Sequence, residues 1–237
     1  MKQGLLKRGV LLSCFLFPAM TFAASAVSVK PSTVKPRLSP SKYLVDLTNS
    51  HWCFDCTTDI LDKYGVMVGF SDHTFRGDRP VTRYELTTTL LKVQKKLFRA
   101  QNLSLAYPDV DSNLMIRENH WARENALELL NKRGLVLLWS DDFKGSEPAT
   151  REDLAYGLSE VLRAFEEKNG RYLKAPERVS QLGIDLPLRS PYYTAIQKVL
   201  NQSLMNLYSD HTFRSEQKVT RYALAASLCK LFGQTLD

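Results

Sequence analysis

The sequence predicts an all-α fold made of three tandem helix–loop–helix repeats. Three observations support this prediction: a motif that recurs along the chain, apolar residues at helical spacing after recurring N-cap residues, and no sustained alternation with a period of two. One repeat is too short to bury the apolar faces of its helices alone. The three repeats are therefore expected to share one core.

The first 26 residues are expected to be a secretory signal peptide rather than part of the fold. Three basic residues precede a short apolar run at 9–17, and small residues follow it. The run is too short to span a membrane. Cys14 lies in a loose lipobox, so a lipid anchor at this residue is a minor alternative.

The basic charge of the chain lies before the repeats. The formal net charge is +7, but residues 1–26 carry three positive charges and residues 27–45 carry four, without any acid, so residues 46–237 are formally neutral. Residues 27–45 are rich in Pro and Ser and are read as a solvated linker. Because a nucleic-acid-binding domain carries its own excess of positive charge, no nucleic-acid partner is predicted.

The repeats are defined by matching letters. Residues 71–76 and 209–214 both read SDHTFR, and residues 81–84 and 219–222 both read VTRY, at the same offset. A third copy lies between them, and it repeats His51-Trp52, Gly65, Phe75 and Thr82-Arg83 as His120-Trp121, Gly134, Phe143 and Thr150-Arg151. The predicted boundaries are 46–100, 107–168 and 185–233.

Each repeat begins with a predicted helix. The spans are Trp52 to Tyr64 and Trp121 to Arg133, and the third helix starts near Pro191. Gly65 and Gly134 follow the first two helices, where a helix C′ residue takes a left-handed conformation.

A second helix in each repeat follows a threonine N-cap at Thr82, Thr150 or Thr220. Glu85 and Asp153 stand three residues after the first two caps and complete capping boxes, whereas Thr220 has no acid at that position. In the loops ahead of these helices, Phe75, Phe143 and Phe213 are expected to anchor the chain in the core.

The ordered set of Trp, Gly, D-x-T-F-R and T-R-x-E, present in repeated form, resembles the S-layer homology (SLH) family, especially the SLH domains of cyanobacterial outer-membrane porins. The resemblance covers nearly all of 46–232. It implies a pseudo-threefold arrangement around a central helical core, with grooves between repeats. It also implies that the chain binds an anionic, often pyruvylated, peptidoglycan-linked polysaccharide and so anchors an exported protein.

Two departures from the family pattern affect what can be transferred. His73 and His211 stand where the family usually has glycine. The third repeat has no tryptophan, and Tyr192 or Tyr193 is a possible substitute.

Arg83, Arg151 and Arg221 are candidate glycan-binding residues. Each lies in the first turn of a helix, where the helix dipole disfavours a cation by roughly 0.3–1 kcal/mol. A guanidinium there can join the free N–H groups of the helix start in binding one carboxylate. The alternative is that each arginine pairs with a neighbouring acid.

Trp52 and Trp121 are the other candidates for glycan binding. An aromatic plate can lie against the apolar face of a sugar ring, but packing in the core at a helix start is an equal alternative.

Cys53 and Cys56 form a Cys-x-x-Cys motif that could indicate a redox site. The chain lacks a βαβ context for such a site, and Ala122 is the counterpart of Cys53, so both are interpreted as small packing residues. Cys229 is expected to be buried. A metal site with His51 would need a fourth ligand that the sequence does not offer nearby.

The leading hypothesis is therefore a non-catalytic, exported cell-envelope module that needs no metal or cofactor and anchors a protein to cell-wall polysaccharide. The alternative is a structural adaptor that binds an envelope protein, such as an outer-membrane barrel or an S-layer subunit. An oxidoreductase built on Cys53 and Cys56 is a weaker third hypothesis.

Overall fold

A computed structural model describes residues 40–104, 116, 118–132, 143–173 and 183–236. The described residues contain α-helices and isolated β-bridges but no strand, so the predicted all-α class is confirmed. The helices are α1 (Phe54–Thr58), α2 (Arg83–Ala100), α3 (Arg123–Lys132), α4 (Arg151–Asn169), α5 (Tyr193–Asn201) and α6 (Arg221–Leu236). The predicted signal peptide, Cys14, most of the predicted linker, Arg133 and Gly134 lie outside the described residues.

The first helix of repeat 1 is shorter than predicted at its start and changes type along its length. It begins at Phe54 rather than Trp52, and a π-helix at Asp59–Lys63 continues α1. Its core-facing side chains include Ile60 and Leu61. Gly65 follows with φ of 66°, a left-handed conformation, as predicted for the C′ position.

The second helices begin where the threonine caps predict. Thr82 accepts a hydrogen bond from the Glu85 backbone N–H at 3.2 Å, and the Glu85 carboxylate accepts one from the Thr82 backbone N–H at 2.9 Å. Thr150 and Asp153 form the same box. Thr220 accepts from the backbone N–H three residues later at 3.2 Å without an acid in return. All three caps are confirmed.

The core lies between these second helices and the shorter first helices. Helix α2 packs against α3, α4 and α6, α4 packs against α5, and α1 packs against α6. Gly157 of α4 lies so close to Leu90 of α2 that a Cβ atom there would overlap the leucine side chain. The predicted loop anchors Phe75, Phe143 and Phe213 are all buried, so that prediction is also confirmed.

Backbone hydrogen bonds join the three loops into a closed ring just before the second helices. The Val81 N–H donates to the Val219 carbonyl at 2.8 Å, the Val219 N–H donates to Ala149 at 2.9 Å, and the Ala149 N–H donates to Val81 at 2.8 Å. Each loop thus gives one bond and receives one. The pseudo-threefold arrangement of whole repeats and the exact repeat boundaries stay predictions, and this ring supports the former.

The two loops that read SDHTFR have the same local structure. His73 and His211 both have φ of 62°, so each histidine takes the left-handed conformation that favours the glycine of the family pattern. Asp72 accepts hydrogen bonds from the Thr74 hydroxyl at 2.5 Å and from Arg76 Nη2 at 2.6 Å. These two bonds hold the pKa of the Asp72 carboxyl at about 2, well below its ordinary value.

Candidate functional site

Two of the three candidate arginines bind backbone carbonyls of another repeat. Arg221 in repeat 3 donates from Nε to the Phe75 carbonyl at 2.8 Å and from Nη2 to the Val68 carbonyl at 2.6 Å, both in repeat 1. Arg151 in repeat 2 donates from the same two nitrogens to the carbonyls of Phe213 and Asn206 in repeat 3, at 2.7 and 2.8 Å.

Arg83 pairs with an acidic side chain, which is the alternative considered for the arginines. Its Nε lies 3.3 Å from Asp153 Oδ2, so it pairs with the acid that completes the capping box of α4 in repeat 2. The three arginines therefore reach from repeat 1 to 2, from 2 to 3 and from 3 to 1. All three have a role between repeats, whatever else they bind.

The inter-repeat environment lowers the pKa of two of these arginines. Only 7% of the Arg221 surface is exposed, and desolvation lowers its pKa to about 10, so it stays charged at neutral pH. Burial lowers the pKa of Arg151 as well. Each guanidinium lies over aromatic rings, with Arg221 4.5 Å from the Phe75 centroid and Arg151 4.8 Å from the Tyr208 centroid.

The two candidate tryptophans lie on the surface and not in the core. Trp52 is 71% exposed and Trp121 is 61% exposed. Trp52 presents an edge-on contact to Tyr222 with 6.0 Å between ring centroids, and Trp121 makes the same contact with Tyr84 at 6.3 Å. Core packing therefore does not explain these two residues.

The tyrosines under the tryptophans belong to a repeated aromatic junction. His51 stacks on Tyr222 at 4.2 Å, and His120 stacks on Tyr84 at 3.9 Å. A Cβ atom at Gly77 would overlap the Tyr222 ring, and the equivalent Gly145 lies equally close to Tyr84. Both junctions thus need glycine in the adjacent loop.

The junction between repeats 2 and 3 has different chemistry. Glu152 replaces the tyrosine, and Ser215 replaces the glycine. The Ser215 carbonyl accepts a hydrogen bond from the Glu152 backbone N–H at 3.1 Å, as the glycine carbonyls accept one from the tyrosine N–H at the other two junctions. Ser190 and Pro191 stand in place of the His-Trp pair. The proposed substitute Tyr192 instead makes an edge contact with Tyr156 in α4, with 6.0 Å between centroids.

One groove brings two of the predicted residues together. It has a volume of about 520 Å³ and is lined by Trp52 of repeat 1, Arg151 of repeat 2 and, from repeat 3, residues 204–208 and 217–220 with Ala223, Ala226 and Ser227. Lys218 and Lys230 also line it, and the described lining contains no carboxylate. The groove is therefore cationic, with an exposed indole at one side. Arg83, Arg221 and Trp121 are not part of it.

Sequence reasoning did not select Lys218 and Lys230 as site residues. Lys218 directly precedes the VTRY motif of repeat 3, where the other two repeats have Pro80 and Pro148, and that difference could have indicated it. Lys230 lies on α6, and no motif marks it; burial lowers its pKa.

The described residues contain no group of three or more His, Cys, Asp or Glu side chains placed to hold a metal ion. Among the helices in the described ranges, none combines the length and apolar character needed to cross a membrane.

Comparison with protein families identifies the architecture. The family model for the S-layer homology domain matches residues 60–87 and 117–155, which include the loop and helix start of repeat 1 and the aromatic junction and helix start of repeat 2. The chain therefore carries two regions similar to the S-layer homology domain, at residues 60–87 and 117–155. The third repeat rests on its internal match to the first.

A relative is known among curated proteins. An uncharacterized protein of Synechocystis sp. is 35% identical over 78 residues, which is 29% of this chain and 14% of the relative. The chain thus spans a small part of that protein. SLH domains are known as non-catalytic modules that anchor proteins in the cell envelope, so a match to this domain implies a protein associated with the envelope or cell surface.

Proposed function

We propose that this SLH protein binds an anionic, pyruvylated polysaccharide linked to peptidoglycan and so anchors to the cell wall. The observation that carries this proposal is the groove lined by Trp52, Arg151, Lys218 and Lys230. Its three cations attract an anionic ligand, and its aromatic plate can lie against a sugar ring. Export of the chain, with residues 1–26 as signal peptide, belongs to the same proposal.

The groove residues have different roles in this proposal. Trp52 packs on the apolar face of one sugar because most of its indole is exposed. Lys218 is exposed and supplies a point charge for a ketal carboxylate. The Nε and Nη2 groups of Arg151 already donate to carbonyls, so a bound carboxylate would meet its Nη1 side.

The remaining candidates define weaker sites in the same scheme. By repeat equivalence, Trp121 and Arg221 correspond to Trp52 and Arg151, but Pro80 stands where Lys218 would be. At the third equivalent site, which contains Arg83, Pro191 stands at the tryptophan position. We therefore expect the Trp52 groove to contribute most of the binding, with Trp121, Arg83 and Arg221 contributing less.

The test is co-sedimentation of the full chain with sacculi that retain their covalently linked polysaccharide. Trp52→Ala and Lys218→Gln are each expected to raise the Kd about 3–10-fold, the loss of one stacking or one charge-assisted contact. Lys42→Gln is the matched control, because Lys42 is exposed and does not line the groove. Circular dichroism confirms that each variant folds.

Two treatments of the sacculi separate the possible ligands. Chemical removal of pyruvate ketals should weaken binding of the wild-type chain and abolish the difference between wild type and Lys218→Gln. Digestion with protease should leave binding unchanged. Loss of binding after protease digestion alone would instead favour the adaptor that binds an envelope protein.

A further inference from the structure

Two cysteines from opposite ends of the folded chain lie side by side. Cys56 is on α1 in repeat 1, Cys229 is on α6 in repeat 3, and these two helices pack against each other. The two thiols are in hydrogen-bonding contact, and both side chains are partly exposed and unpaired as disulfides. Cys56 also lines the groove, so small molecules can reach it.

Cys53 differs from these two in its surroundings. It is 1% exposed, its thiol donates to the Tyr222 carbonyl at 3.6 Å, and it accepts a hydrogen bond from the Thr57 hydroxyl at 3.5 Å. Ala122 occupies the same position in repeat 2 and is also buried. Cys53 is therefore a packing residue, as the sequence predicts. The partner of Cys56 is across the helix interface and not within the Cys-x-x-Cys motif.

Cys229 and Cys56 have different surroundings. Burial and the contact with Cys56 raise the pKa of Cys229 to about 12, so this thiol stays protonated at neutral pH. The Lys230 side chain interacts favourably with negative charge on either sulfur. The first nucleophilic attack therefore falls to Cys56, which lines the groove where an oxidant can reach it, and Cys229 acts second.

We propose that Cys56 and Cys229 form a disulfide bond that joins the first repeat to the last. This proposal rests on the proposed export, which brings the chain to the cell envelope. Neighbouring thiols are oxidised there, because the envelope lies outside the reducing cytosol. The Cys56 thiolate attacks one sulfur of a disulfide oxidant, breaking its S–S bond and releasing one thiolate. Cys229 then loses its proton to that thiolate and attacks the Cys56 sulfur, which releases the second thiolate. The proton that Cys56 gives up to the solvent on forming its thiolate is returned to this second thiolate, so two protein thiols are oxidised by two electrons and one oxidant disulfide is reduced to two thiols.

This bond would close the ring covalently between repeats 1 and 3, which are otherwise held together by packing and hydrogen bonds. Repeats 1 and 2, and repeats 2 and 3, are already linked by the chain itself, whereas repeats 1 and 3 are joined only through contacts such as Val81 with Val219. A cross-link between distant residues restricts the unfolded chain strongly. Oxidation should therefore stabilise the association of repeats 1 and 3.

The test is incubation of the full chain with oxidised glutathione, followed by peptide mapping and compared with an untreated sample. In both samples the remaining free thiols are blocked with an alkylating reagent at low pH before digestion. The expected result is a peptide pair linked through Cys56 and Cys229, and a rise in Tm of about 5–15 °C that dithiothreitol reverses. Cys53→Ala, which copies the second repeat, should keep both the linkage and the rise. Cys229→Ser should lose both.

The linkage is identified in the wild-type chain itself, so it does not depend on any variant folding. A Cys53–Cys56 linkage, or alkylation of both Cys56 and Cys229 after incubation with oxidant, would overturn the proposal. Binding to sacculi is measured separately, so a failure here leaves the assignment of the glycan groove standing, and the reverse also holds.

Discussion

Replacing Arg221 by alanine sets two opposing effects against each other. Removing a cation from the first turn of α6 relieves an unfavourable interaction with the helix dipole, a gain of about 0.3–1 kcal/mol. The same change removes two charge-assisted hydrogen bonds, to the carbonyls of Phe75 at 2.8 Å and Val68 at 2.6 Å. Each such bond contributes about 1.5–3 kcal/mol, and its loss leaves a carbonyl without that donor. The loss of the two hydrogen bonds exceeds the gain from the helix dipole, and we expect a net destabilisation of about 2–6 kcal/mol.

Thermal and urea unfolding of the full chain measure this loss. For a domain of this size the Tm should fall by about 4–24 °C. Arg221→Lys keeps the cation near the helix start but lacks the planar fork that reaches two carbonyls, so its stability should lie between wild type and Arg221→Ala. Arg221→Met keeps the aliphatic packing and should resemble alanine more than lysine if the hydrogen bonds dominate.

An Arg221→Ala chain that is as stable as wild type, or more stable, would refute this reasoning. It would show that the helix dipole outweighs the bonds between repeats 3 and 1, and that the arginine is retained for a ligand alone. A change in the urea m-value would indicate that the variant no longer unfolds as one unit, and the comparison would then be made by hydrogen exchange.

Three further outcomes follow from the junctions, the loops and the ring. Gly77→Ala should lower the Tm by about 5–10 °C, because the added methyl overlaps Tyr222, which is 4% exposed and has little room to move. Ser215→Ala, at the equivalent position in repeat 3, is the control and should change the Tm by less than about 2 °C. NMR titration should place the Asp72 pKa near 2, and titration at an ordinary value would contradict the loop geometry. Because folding lowers this pKa, the contribution of Asp72 to the free energy of unfolding is present above pH 3.8 and is lost as the pH falls through about 2. A chain that ends at Lys168 should unfold at a Tm more than about 10 °C below the full chain, because the loop ring is opened, and equal stability would indicate independent repeats.

The features that the sequence predicts correctly are local ones. The caps at Thr82, Thr150 and Thr220 are recognised because the donor and acceptor are three residues apart. Gly65 is recognised because a left-handed helix end favours glycine over other residues. Such signals need no knowledge of what lies across the core.

The partners of the arginines could not be read in this way. Arg221 and the Phe75 carbonyl are separated by 146 positions in the chain, and the motif that identifies the arginine contains nothing about that carbonyl. The sequence also groups Trp52 with Arg83, since both lie in repeat 1, whereas the structure places Trp52 in a groove with Arg151 of repeat 2. This pairing is determined by the order in which the three repeats follow one another around the ring.

That order also links folding to the proposed binding. The groove takes its indole from repeat 1, its guanidinium from repeat 2 and most of its floor from repeat 3, so no single repeat contains the site. The carbonyls that fix Arg151 belong to repeat 3, which means that the bonds holding the ring together also orient a groove cation. A substitution that loosens the ring should therefore weaken glycan binding even at a distance from the groove. The reverse follows by linkage: a ligand that bridges Trp52 and Lys218 contacts two repeats at once and should stabilise the closed ring against unfolding.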